Sequence, residues 1–119
     1  MTYRIIFLIT LLMTLAACAA VPMNGDVTIG DSDLGSAKMS ATRNPTLKSH
    51  ATYSIVSELP DGAVYKGKIQ SDLKSVTMFS NDGKSMKCNF KVNDLVKGFE
   101  SGGTGSCTTS EGQNLNVKF

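Results

Sequence analysis

The chain has 119 residues, 41% hydrophobic and 18% charged, which accommodates one small domain and excludes two. A formal net charge of +2 does not make a nucleic-acid-binding surface. The single His, His50, leaves at most one imidazole for a metal site or a Ser/His/Asp triad.

Residues 1–17 read as a removable export signal. Arg4 supplies the positive start, and residues 5–17, "IIFLITLLMTLAA", are uncharged. That run is shorter than the about 20 residues needed to cross a ~30 Å hydrocarbon core, and it suits the apolar region of a secretory signal. It ends in Leu15-Ala16-Ala17-Cys18, which resembles the lipobox of bacterial lipoproteins. The resemblance implies cleavage before Cys18 and a diacylglyceryl thioether on its sulfur. A thiolate is the nucleophile this chemistry needs. Two or three acyl chains hold a protein stably on a membrane, each buried CH₂ contributing about 0.8 kcal/mol. In lipoproteins of Gram-negative bacteria an Asp after the Cys often signals inner-membrane retention. Ala19 stands there instead, which implies the outer membrane in a Gram-negative host.

Residues 18–50 are rich in Gly, Ser, Asp, Asn, Thr and Pro and read as the lipidated N-terminus and a flexible tether. Within them Val27-Thr28-Ile29 is a candidate edge strand, and His50 has no evident ligand partner.

Residues 51–119 read as the folded domain. Pro60-Asp61-Gly62, Asn81-Asp82-Gly83 and Ser110-Glu111-Gly112 are hairpin signals, because Gly accepts φ > 0 and Asp tolerates it. Strands are predicted on either side of each: 52–59 and 63–70, 74–80 and 84–93, 103–109 and 113–119. Met86, Cys88, Phe90 and Val92 alternate with Lys87, Asn89, Lys91 and Asn93; Leu115, Val117 and Phe119 alternate with Asn114, Asn116 and Lys118. One buried and one wet face marks an antiparallel sheet. The expected fold is all-β, a small antiparallel meander of about six strands in three hairpins, forming a curled sheet or a small open barrel or sandwich. Residues 94–99 are expected to make one helical turn with Asp94 as its N-cap.

With Cys18 lipidated, Cys88 and Cys107 remain, and an even count in an exported chain reads as one disulfide. It is expected to join the last two hairpins. Neither a metal site nor a cofactor is expected: the pair lacks further ligands and C-x-x-C spacing, and the Gly-rich run 101–107 lacks the Lys-Ser/Thr of a phosphate loop. Its glycines are expected to allow close backbone approach beside the disulfide. Asp61, Asp82 and Glu111 read as turn residues, so no paired acids are placed for catalysis and no enzyme is expected.

The candidate binding face is a lysine stripe, Lys66, Lys68, Lys87 and Lys91, with Lys118 beside it. It suits an acidic partner such as lipid head groups, an anionic surface polymer or an acidic envelope protein, and also serves to guard sheet edges. The C-terminal pattern from Asp82 to Phe119 is similar to that of small bacterial lipoproteins, a resemblance that implies no activity. Residues 107–119 resemble the first hairpin of the lipoprotein inhibitors of c-type lysozyme, which are small lipid-anchored β-barrels, although here the segment ends the chain. The functional expectation is a lipid-anchored envelope protein with a binding or structural domain. The alternatives are an inhibitor of a cell-wall hydrolase and a surface-exclusion lipoprotein of a mobile element.

Overall fold

The computed structural model describes residues 20–44, 52–69 and 74–119. Residues 1–17, read above as an export signal, lie outside these residues, as do Cys18 and His50. Eight antiparallel strands follow one another around a closed barrel: β1 Val21–Ile29, β2 Ser32–Arg43, β3 Tyr53–Glu58, β4 Val64–Ile69, β5 Ser75–Ser80, β6 Ser85–Val92, β7 Gly103–Thr109 and β8 Asn114–Lys118. The all-β, antiparallel character and the disulfide are as expected. The six-strand, open form is not.

The two further strands come from the segment expected to be a tether. Met23, Gly25 and Val27 alternate inward along β1, and Ala37, Met39 and Ala41 along β2, all buried. Their neighbours are Asn, Asp, Ser, Lys and Thr, so composition resembles a loop while the period is that of a half-buried strand. The pairing explains why the segment folds. Six strands alone leave β3 and β8 as open edges with unpaired backbone groups. Here β2 pairs with β3, and β1 pairs with β8 through Gly25 opposite Val117 and Val27 opposite Leu115. One hairpin covers both edges and closes the cylinder. In sequence only residues 19 and 20 separate Cys18 from β1, not the thirty-odd residues that composition suggests.

An eight-stranded barrel has an interior that side chains can fill. Tyr53, Ile55, Tyr65, Ile69, Met78, Met86, Leu115 and Val117 are all at most 1% exposed within it. Large and small residues face one another. A Cβ on Gly105 would lie 2.5 Å from the Phe90 ring, and one on Gly67 would lie 2.8 Å from Met78 Cγ. Close approach in the Gly-rich run is thus partly to a ring; at Gly103 it is to the Lys91 carbonyl, as expected for backbone contact.

The three turn signals build one geometry. In each, the Gly amide bonds back three residues, to Leu59, Ser80 or Thr109, whose own amide bonds the carbonyl after the Gly. Gly62, Gly83 and Gly112 take φ of 88°, 86° and 85°. This is a three-residue hairpin loop closed by a left-handed glycine.

The opposite end is closed by a plug. Asp94 Oδ1 accepts from the amides of Val96 and Lys97, so Asp94 caps a turn, although the helical turn expected over 94–99 starts later and has Lys97 as its N-cap. A 3₁₀ turn over Gly98–Ser101 follows and drops Phe99 into the barrel mouth, fully buried. Phe99 meets Tyr53, Phe90 and Phe119 at ring separations of 4.9, 5.3 and 5.1 Å. Such aromatic pairs each contribute about 0.5–1.5 kcal/mol beyond area burial. Cys88 and Cys107, directly opposite on β6 and β7, are disulfide-bonded inside the wall, joining the last two hairpins.

Candidate functional site

The four candidate lysines are all exposed on the outer wall, Lys66 and Lys68 on β4 and Lys87 and Lys91 on β6. β5 runs between them. It sets Phe79, 61% exposed, opposite Lys66, and Thr77 opposite Lys87. The lysines therefore flank a mixed strand instead of forming one continuous stripe.

Lys91 instead belongs with Lys118. Thr104 on β7 is the cross-strand partner of both. Side-chain length shapes the surface here. β7 presents only Thr104, Ser106 and Thr108 outward, while β6 and β8 carry Asn89, Lys91, Asn116 and Lys118 on either side. The result is a trough of about 640 Å³ that extends to Asp26 on β1. Its short hydroxyls and amides offer both donors and acceptors, and its two lysines sit at one end. Alternation singled out Asn89, Asn116 and Lys118 as outward residues. Their assembly with Thr104, Ser106 and Asp26 depends on the order of strands around the barrel.

The second cluster lies on the rim at the plug. Tyr53 donates its hydroxyl proton to Glu100 Oε2 at 2.5 Å and accepts from Arg43 Nη2 at 2.9 Å. Arg43 also donates to the Lys97 carbonyl at 3.2 Å and pairs with Glu100 at 3.5 Å. Burial pushes the Tyr53 phenol up, and its bond to Glu100 adds to this. Burial opposes ionisation of Glu100, but bonds from Tyr53 and the backbone, with the Arg43 charge, outweigh it and hold the carboxyl below its ordinary range. The hydrogen bond to Tyr53 raises the Arg43 guanidinium. Arg43 lies in the segment read as tether, and Tyr53 and Glu100 carry no motif.

At the hairpin end, Asp61 accepts the Ala63 amide, the turn bonding expected of it. Asp82 and Glu111, from separate hairpins, converge on Lys84 at 3.5 and 2.9 Å. The bond to Glu111, then the Asp82 charge, raises the Lys84 ammonium, and the Ser80 hydroxyl holds the Asp82 carboxyl down. Two acids on one half-buried lysine make a surface ion-pair network. Inside the barrel, Ser57 Oγ and Tyr65 Oη are buried without a hydrogen-bond partner. Among the described residues no group of three His, Cys, Asp or Glu is placed to hold a metal, and no helix is long and apolar enough to cross a membrane.

No family model, curated protein or solved structure matches this chain.

Proposed function

We propose that this is a lipid-anchored protein of the bacterial envelope, held through Cys18, whose barrel binds an anionic, hydroxyl-rich envelope polymer without turning it over. The trough along β7 carries the reading. Neutral donors and acceptors from Asn89, Thr104, Ser106 and Asn116 suit sugar hydroxyls, and Lys91 and Lys118 suit carboxylate or phosphate groups. Rigid strands hold these side chains, so little ordering accompanies binding.

The test is a titration with polygalacturonate as the probe, followed by amide shifts. Shifts should map to β6–β7–β8, weaken as salt rises, and be lost in the Lys91→Gln, Lys118→Gln double variant. Shifts confined to other faces, or unchanged affinity in that variant, would contradict the site. Separately, Cys18→Ser should abolish acyl labelling and membrane retention; a Cys18→Ser protein that still fractionates with membranes places the anchor elsewhere.

A second reading, inhibition of a cell-wall hydrolase, draws support from the hairpin end. Asp31, Asp33, Glu58, Asp61, Asp82 and Glu111 all stand at that end, in or beside its turns, and such a surface complements a basic protein such as c-type lysozyme. A lysozyme-inhibition assay decides it: undiminished hydrolysis at excess protein ends this reading.

A further inference from the structure

We infer that the plug end of the barrel docks directly on an anionic phospholipid surface, with Leu95 and Val96 entering the headgroup layer. The inference rests on the lipid-anchor reading of Cys18 and adds an orientation to it.

Three observations converge. The first is the position of the N-terminus. β1 begins at the end of the barrel where β8 finishes: Asn24 lies opposite Lys118, and the next residue, Phe119, packs on Phe99 of the plug. Three residues from Cys18 to Val21 span at most about 10 Å. A lipid on Cys18 therefore keeps the plug end within about 10 Å of the bilayer surface.

The second is apolar exposure at that same end. Val96 is 91% exposed and Leu95 58%. They sit side by side in the turn that Asp94 caps and Phe99 roots in the core, so the tip is presented on a fixed support. Apolar side chains beside basic ones form the usual interfacial anchor.

The third is charge. Arg43, Lys68, Lys74, Lys91, Lys97 and Lys118 lie at or near the strand ends and loops of the plug end, against Asp94 and Glu100 among the described residues there. The hairpin end carries the six acids named above against Lys84. Lys38, Lys66, Lys87 and Asp26 lie on the wall between. The barrel is thus polarised along its axis, and an anionic leaflet attracts the basic end and repels the acidic one. The acidic hairpins then face away from the membrane.

The chain contains no Trp, so a single introduced Trp reports its own surroundings. Val96→Trp and, as a wall control, Phe79→Trp are purified from membranes as processed proteins. Each is reconstituted into vesicles of phosphatidylglycerol and phosphatidylethanolamine with brominated acyl chains, and flotation and acyl mass are recorded alongside emission. The expected result is blue-shifted, quenched emission for Val96→Trp and water-like, unquenched emission for Phe79→Trp. Adding Lys68→Glu and Lys97→Glu to Val96→Trp, or using uncharged phosphatidylcholine, should reduce the quenching. Acylated protein that floats while Val96→Trp stays unquenched overturns the docking and leaves the anchor standing. Equal quenching in charged and uncharged vesicles overturns the electrostatic selection. Protein that lacks acyl mass and fails to float overturns the anchor and the docking together.

Discussion

Tyr53 and Glu100 stand 47 residues apart in sequence and share a 2.5 Å hydrogen bond across the barrel rim. Tyr53 belongs to the wall at the start of β3, and Glu100 to the plug. With Arg43 gripping both, this contact fastens the loop that closes the barrel. Gly98 is required beneath it, because a Cβ there would lie 2.2 Å from the Tyr53 hydroxyl and its φ is 77°.

Tyr53→Phe should therefore loosen the plug. A hydrogen bond to a charged group contributes about 1.5–3 kcal/mol. The Arg43 and Glu100 side chains are nearly half exposed, at 47% and 45%, so solvent reduces the expected loss to about 1 kcal/mol. Glu100→Gln should lose a similar amount. The pH dependence follows from the directions of the shifts. A carboxyl lowered on folding stabilises above its ordinary pKa of 4.5, and that contribution is lost as pH falls through the folded value. A phenol raised on folding stabilises below its ordinary 10.0, and that contribution is lost as pH rises through the folded value. The clamp is thus at full strength between those limits. Thermal melts across pH should show the wild type losing its advantage over Glu100→Gln as pH falls below the ordinary 4.5 and through the lower folded value. A constant gap down to acid would remove Glu100 from this role.

Reduction of Cys88–Cys107 should destabilise the barrel by about 3 kcal/mol if the chain-entropy account of a crosslink spanning a sequence separation of 19 holds. The pair is buried, with Cys88 1% and Cys107 2% exposed, so slow reduction in the native state is expected, faster when the plug is weakened. Denaturant titration with and without reductant measures the first. Thiol trapping in wild type and Tyr53→Phe measures the second, and equal trapping rates would separate the disulfide from the plug.

Tyr65→Phe should behave unlike Tyr53→Phe. The Tyr65 hydroxyl is buried without a partner, as is the Ser57 hydroxyl, and these residues are cross-strand neighbours on β3 and β4. Removing an unsatisfied polar group relieves its desolvation, so Tyr65→Phe should be neutral or stabilising. Chemical denaturation reads the sign directly. A loss above about 1 kcal/mol would mean that the hydroxyl has a bonding partner in solution.

The contrast among elements shows where sequence reasoning reaches. Hairpin turns were legible because Asp61-Gly62 and Asp82-Gly83 state their backbone conformation locally. β6 was legible because Met86, Cys88 and Phe90 are large and alternate with charge. The first hairpin was legible only at Val27-Thr28-Ile29, which form the end of β1, because its other inward residues include the small Gly25, Ala37 and Ala41. Composition then resembles that of a coil. The trough was half legible: alternation turns Lys91 and Lys118 outward, but only barrel closure brings Asp26 beside Asn116. The Arg43–Tyr53–Glu100 clamp was invisible, since Arg43 came from the supposed tether and no spacing joins it to Glu100.

That same first hairpin supplies the last prediction. If it closes the barrel by covering β3 and β8, a fragment of residues 44–119 keeps the disulfide, the three later turns and Phe99, yet exposes two unpaired edges. β8 would lose its pairing from Asn24 to Thr28, and β3 its pairing from Lys38 to Arg43. The interior would also lose Met23, Val27 and Met39, each at most 5% exposed in the intact barrel. Losses of that kind cost about 2–5 kcal/mol for a single large-to-small change in a core, so removing several at once exceeds what a domain of this size holds in reserve. Exposed edges recruit other chains, and the fragment should therefore be oligomeric or aggregated in sedimentation and lack a cooperative melt. Adding a peptide of residues 20–44 should restore a one-to-one complex with the melt of a closed barrel. A fragment 44–119 that sediments as a monomer and melts cooperatively by itself would show that the six-strand sheet is sufficient and that the hairpin merely decorates it.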